Sequence, residues 1–233
     1  MSVGVNTAMS EPAVQAPARR IRAVLFDNDG TLVDSEYLCN LALQQQFESY
    51  GVVLTLHELI AHYRGGKLSD IFTALCKTHD IRRPANYETE YRARLQQLFS
   101  EALKPIAGAA ALLTALKQQQ LQLAVVSNGP QSKVRFTLAH CGLLEYFTDH
   151  TAPERLFSAY DCNLFKPDPA LYLYVIKTLG REPAECVIVE DSQTGVQAGL
   201  AAGVRTYFLN HYDEACPDGA IEIKQLSDLL SVL

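Results

Sequence analysis

The chain has no apolar run long enough to span a bilayer. Nor does it open like a secretory leader, which places its positive charge first and an apolar segment after it. Residues 1–20 mix Pro12, Pro17, serine, alanine and glutamine and end in Arg19-Arg20. They are expected to form a disordered or extended tail. Basic charge is also short: 20 lysines and arginines stand against 26 acids, for a net charge of -6. That balance argues against general binding to nucleic acid or to anionic membranes. Paired cysteine spacing is missing too. Cys39, Cys76, Cys141, Cys162, Cys186 and Cys216 are scattered, mostly in apolar surroundings. They read as reduced thiols of a cytoplasmic protein rather than as a disulfide framework or a zinc site. The six histidines are as scattered, and none stands with a cysteine or carboxylate at metal-ligand spacing. No internal repeat or low-complexity tract is found.

What is present is ordinary core material. With 233 residues, 48% of them hydrophobic and 20% charged, the length suits one large domain or a core carrying a smaller insertion. An apolar run over 21–26 reads as a strand buried on both faces. Asp34 or Ser35 then offers a helix N-cap, a helix follows over about 37–50, and Gly51 ends it. Further helical pieces fall near 56–63, 68–79 and 87–103, with no convincing strand from Glu36 to about Leu103. From Pro105 the pattern alternates: helix 108–119, strand 121–126, helix 133–140, helix 168–179, strand 186–189, helix 194–202, strand 204–209. Such alternation predicts an α/β fold, a doubly wound, Rossmann-like parallel sheet with helices on both faces. Its expected divisions are a core of 21–35 and 104–233 and an all-helical insertion of 36–103.

Three of the apolar strands end in polar clusters: Asp27 and Asp29, Ser127 and Asn128, and Glu190 and Asp191. Alternation along a strand would aim Asp27 and Asp29 the same way. Carboxylates so close repel and separate in pKa, or share a cation. Asp-Asn-Asp-Gly-Thr alone is equally an acidic turn. In a parallel sheet, however, the three clusters fall on the carboxyl edge, where such folds bind ligands. Lys166 is the one basic residue in Leu164-Phe165-Lys166-Pro167-Asp168-Pro169. A loop lysine is usually just solvated; beside these acids and a hydroxyl it suits a phosphate.

Taken in order, Asp27-Asn28-Asp29-Gly30-Thr31, Ser127-Asn128, Lys166-Pro167 and Glu190-Asp191-Ser192-Gln193-Thr194-Gly195 resemble the four motifs of the haloacid dehalogenase superfamily. The resemblance runs from Ile21 to the C-terminus, and residues 36–103 fall where that family carries a mobile helical cap. It implies a phosphatase. Asp27 would be the nucleophile that forms an aspartyl-phosphate. Asp29 would protonate the leaving alcohol and then activate water. Mg²⁺ would be held by Asp27, the Asp29 backbone carbonyl and Asp191, with Glu190 acting at one remove. Ser127, the amide of Asn128 and Lys166 would hold the phosphoryl oxygens.

The resemblance also sorts alternatives. Dehalogenases and phosphonatases lack an acid at the position of Asp29, and Leu68 stands where phosphonatases need a cap lysine. Phosphomutases carry an early cap histidine where this chain has Cys39. A non-enzymatic phospho-acceptor also gathers aspartates and a lysine at strand ends, but has no use for a helical cap. The loop Tyr63-Arg64-Gly65-Gly66-Lys67, with 127–130 and 156–161, is similar to the sugar-phosphatase branch that includes 6-phosphogluconate phosphatases. Arg64 and Lys67 are therefore expected to meet the non-reacting end of a small phosphorylated metabolite. The chain is expected to act as a monomer or weak dimer.

Overall fold

In a computed structural model, described for residues 20–63, 66–148 and 153–233, six parallel strands form one sheet. They are β1 (Ala23–Phe26), β2 (Gln122–Ser127), β3 (Leu156–Ser158), β4 (Cys186–Glu190), β5 (Arg205–Leu209) and β6 (Ile221–Ile223), in spatial order β3-β2-β1-β4-β5-β6. The chain builds outward from β1 to β3, then returns to β1 and builds the other way from β4. The order therefore reverses beside β1, and a crevice opens at the carboxyl ends there.

Alternation divides the central strands between two cores. Val24, Phe26, Leu123, Val125, Val187 and Val189 belong to one, Ala23, Leu25, Ala124, Val126, Cys186 and Ile188 to the other. The first packs against α5 (Ala109–Gln118) and α6 (Gln131–His140). The second packs against α8 (Ala170–Thr178) and α9 (Gln193–Ala201), with the short α7 (Ala159–Cys162) following β3.

Four helices lie between β1 and α5: α1 (Glu36–Ser49), α2 (Leu56–Tyr63), α3 (Leu68–Thr78) and α4 (Tyr87–Ala102). Their apolar faces meet around Phe72, whose ring lies 5.2 Å from Phe47, 4.6 Å from Tyr87 and 6.3 Å from Tyr91 between centroids. Offset and edge contacts of this kind suit aromatic quadrupoles. This small core is continuous with the first face of the sheet through Leu32, Val33 and Leu38.

The sequence misses two strands, β3 and β6. Each is three residues long, too short to show periodicity. Of the two expected N-cap residues, the structure uses Ser35. Ser35 holds the N-cap position of α1 but makes no capping bond; its hydroxyl is used in the crevice. All six cysteines carry free thiols. Among the described residues no helix is long and apolar enough to cross a membrane. Residues 1–19, which hold most of the expected tail, lie outside the described residues.

Candidate active site

The crevice beside β1 is a cavity with about 930 Å³ of open space, its mouth included. The strand ends supply Asp27, Asp29, Ser127, Asn128, Lys166 and Asp191; the inserted helices supply Leu43, Tyr63, Tyr91, Arg92 and Leu95. The strand-end residues named from the sequence, Glu190 apart, share this cavity. Glu190 lies just beneath it, fully buried.

Asp27 directly follows β1, and its N–H continues the ladder by donating to Val189 O at 3.0 Å. Its Oδ1 accepts from Lys166 Nζ at 2.7 Å. The same ammonium donates to Val126 O at 2.7 Å and to Glu190 Oε1 at 2.5 Å, so its three hydrogens are all engaged. Burial pushes the Asp27 carboxyl up to about 8; Lys166 opposes that push, while Glu190 and Asp29 add to it. Burial alone would lower Lys166, but the two acids against it raise it. Glu190 also accepts from Tyr172 Oη at 2.6 Å and from Ser192 Oγ at 3.2 Å. With its oxygens so occupied, it acts on Asp27 through the lysine.

Asp29 is held from the other side. Gly30, at φ +79°, turns the chain just after Asp29, and β1 itself stops at Phe26, before either aspartate. Asp29 Oδ1 accepts from Ser35 Oγ at 2.6 Å and pairs with Lys133 Nζ at 2.8 Å. Burial opposes its ionisation. The Lys133 charge and hydrogen bonds from Lys133, Ser35 and Asn28 outweigh burial and hold it below the ordinary carboxylate value. Two neighbouring carboxyls are thus driven apart, Asp27 upward by burial that Lys166 only partly offsets, and Asp29 downward chiefly by Lys133.

Two glycines make room for the acids. A Cβ on Gly30 would lie 2.2 Å from Asp191 Oδ2, and one on Gly195 would lie 2.0 Å from the Glu190 carboxyl carbon. Thr31 Oγ1 donates to Asp191 Oδ1 at 3.2 Å. The Asn128 side chain is engaged with the backbone of Lys166, accepting its N–H at 2.9 Å and donating to its carbonyl at 3.2 Å. It fixes the lysine.

Oxygen atoms of Asp27, Glu190 and Asp191 lie within 4.8 Å of one another. This is a buried, all-carboxylate group to which Lys166 brings a single positive charge. Hard divalent cations suit such a donor set.

A family model described as haloacid dehalogenase-like hydrolase matches residues 24–209, a span that holds every one of these groups. The chain belongs to that family. It is 38% identical over 191 residues to the 6-phosphogluconate phosphatase of Escherichia coli K12, covering 81% of this chain and 82% of that protein. Among solved structures, a family hydrolase from Deinococcus radiodurans with bound phosphate and sodium superposes with a TM-score of 0.71 at 29% identity, covering 91% of this chain and 94% of the other. A putative β-phosphoglucomutase from Thermotoga maritima gives 0.72 at 28% identity, covering 91% and 98%.

Two residues, Arg64 and Lys67, were expected at the far end of the substrate. Arg64 lies outside the described residues. Lys67 lines an adjoining cleft, its Nζ 4.4 Å from the centre of the Phe165 ring. Sequence reasoning passed over Lys133, Ser35, Tyr172 and Arg92. The one available signal was Ser35, a buried hydroxyl six residues after Asp29.

Proposed function

We propose that this hydrolase removes phosphate from a small phosphorylated sugar or sugar acid through an aspartyl-phosphate on Asp27, with Mg²⁺ bound. The observation that carries the reading is one cavity shared by Asp27, Asp29, Ser127, Lys166 and Asp191. The substrate class is taken from the named activity of the E. coli relative.

Asp27 Oδ attacks phosphorus, and the bond from phosphorus to the substrate oxygen breaks. Asp29 gives that oxygen a proton. Lys133 keeps Asp29 ionised at rest, but an arriving phosphate brings negative charge close to it, and like charge favours the protonated form. In the second half Asp29 accepts a proton from water, which attacks phosphorus, releases phosphate and restores Asp27. Ser127 Oγ and the backbone N–H of Asn128 offer donors to the phosphoryl oxygens, and Lys166 Nζ joins them by turning to the phosphoryl group the hydrogen it gives Asp27 at rest. Asp27, Asp191 and the Asp29 carbonyl would hold Mg²⁺, with Glu190 acting through Lys166 and Ser192. When bound, the ion neutralises phosphoryl charge and lowers repulsion of the incoming carboxylate.

Residues 36–103 serve as a cap over a core of 21–35 and 104–233, since α1, α2 and α4 all reach the cavity. A cap excludes water and selects substrates. A phosphomutase is the second reading, favoured by the structural neighbour of that description. Cys39 opposes it: burial pushes its thiol up to about 12, which leaves it a poor acid or base near neutral pH.

Phosphate release from sugar phosphates, sugar-acid phosphates and nucleotides, measured with Mg²⁺ and with EDTA, tests the proposal. Release from the sugar-derived substrates, abolished by EDTA and restored by Mg²⁺, is expected. Full release in metal-free buffer, or isomerised sugar phosphate without free phosphate, would refute it.

A further inference from the structure

Among the described residues, three cationic side chains line the cavity, and they are differently engaged. The Lys166 side chain, 3% exposed, is committed to Asp27 and Glu190, and Lys133, 18% exposed, to Asp29. Arg92 comes from α4 in the roof. Its Nε and Nη2 donate to Glu88 Oε1 at 3.0 and 2.5 Å. That partner is one helical turn back, 46% exposed against 33% for Arg92, and does not itself line the cavity. Exposed pairs at this spacing are weak and screened by water. Arg92 is thus the cavity cation that can exchange its partner for a ligand at least cost.

The arginine also faces the opposite wall. Its guanidinium carbon stands 6.0 Å from the centre of the Tyr160 ring on α7. Tyr160 in turn packs edge-on against Phe165, 5.2 Å between centroids, directly before Lys166. Around it the roof offers Leu43, Ile71 and Leu95, while Glu36, Cys39 and Asn40 line the cavity from α1. The one polar amide nearby, Asn40 Nδ2, is engaged by Glu36 O at 2.8 Å.

We infer that Arg92, set against Tyr160, is a specificity-determining residue that binds the carboxylate of a phosphorylated sugar acid at the end away from the phosphate. A planar guanidinium takes a carboxylate through two parallel hydrogen bonds, and a site built to pair a charged group discriminates strongly against a ligand that leaves it unpaired. The inference rests on the phosphatase reading and assigns its substrate class.

The test compares two phosphates that differ at one carbon, 6-phosphogluconate and glucitol 6-phosphate, carboxylate against hydroxymethyl. The readout is the ratio of kcat/KM for the acid to that for the polyol. Arg92→Gln is expected to lower this ratio roughly tenfold to a hundredfold, the loss of one charge-assisted pairing. Arg92→Lys keeps charge without the fork and should lie between. Glu88→Gln removes the competing carboxylate and should raise the ratio. An unchanged ratio in folded Arg92→Gln and Arg92→Lys, or equal losses on both substrates, overturns the inference and leaves the phosphatase reading intact. Wild-type enzyme that releases phosphate from neither substrate with Mg²⁺ overturns both.

Discussion

The floor and the roof of the cavity are built on opposite plans. On the floor the charged groups are held across several elements: Asp27 by Lys166 from the loop before α8, Lys166 by Val126 and Glu190, Glu190 by Tyr172 of α8 and by Ser192 just beyond its own strand. In the roof, Arg92 is tied to a half-exposed neighbour on its own helix, and the other roof residues named above are mainly apolar. A fixed floor suits a reaction in which charge must be met without reorganisation. A roof with replaceable contacts suits the choice of substrate. On the proposed function, the chemistry belongs to the sheet edge and the selectivity to the inserted helices.

The contrast can be broken most directly through Lys166. Lys166→Met leaves Asp27 and Glu190 buried without their ammonium, and losing one partner of a buried pair costs about 3–5 kcal/mol. Urea unfolding in EDTA should show that loss, and added Mg²⁺ should recover part of it. A loss under about 1 kcal/mol would place Lys166 among ordinary exposed pairs. Gly195→Ala comes next. Its Cβ would meet the Glu190 carboxyl carbon at 2.0 Å, so an overpacking cost of about 1–3 kcal/mol is expected, with a fall in kcat. A change of the same size on the exposed face of α4, Ala93→Gly, should leave kcat nearly unchanged.

Asp27, Asp29, Ser127, Glu190 and Asp191 were legible because they follow apolar strands, and a parallel sheet brings strand ends together whatever their separation in sequence; Lys166 stood out instead as the one basic residue of its loop. Lys133 was hidden in the first turn of α6, where a lysine usually meets solvent. Tyr172 carried no signal of its own within a helical stretch, although its hydroxyl reaches Glu190. Arg92 was indistinguishable from any cation of a polar helix such as α4. Helical spacing says which face a residue shares but not what stands opposite. Strands β3 and β6 escaped because their pairing, not their composition, makes them strands.

Asp29 sharpens the comparison by pH. Its folded-state carboxyl is held below the ordinary value of 3.8. The stability it contributes is therefore present above that value and lost as pH falls through the folded one. Denaturant unfolding between about pH 5 and pH 2.5 should show wild-type protein losing stability that Lys133→Met does not lose, because the ammonium holding Asp29 ionised is gone. Parallel curves would remove Lys133 from the account. The smallest effect is expected at Lys67, which stands over Phe165 at an exposed site. Lys67→Ala should cost about 0.5–1 kcal/mol at most in kcat/KM, below about fivefold. A larger loss confined to anionic substrates would return specificity to that loop.

The central claim is that Asp27 itself carries the phosphoryl group. Enzyme mixed with substrate, quenched in acid and reduced with borohydride should yield homoserine at position 27, because an acyl phosphate is reduced there and a free carboxylate is not. Peptide mass spectrometry reads the conversion. The account predicts homoserine at residue 27 in wild-type protein and none in Asp27→Asn, whose turnover should fall by about 10⁴ or more. Turnover without modification at residue 27, or modification at another carboxylate, would contradict it.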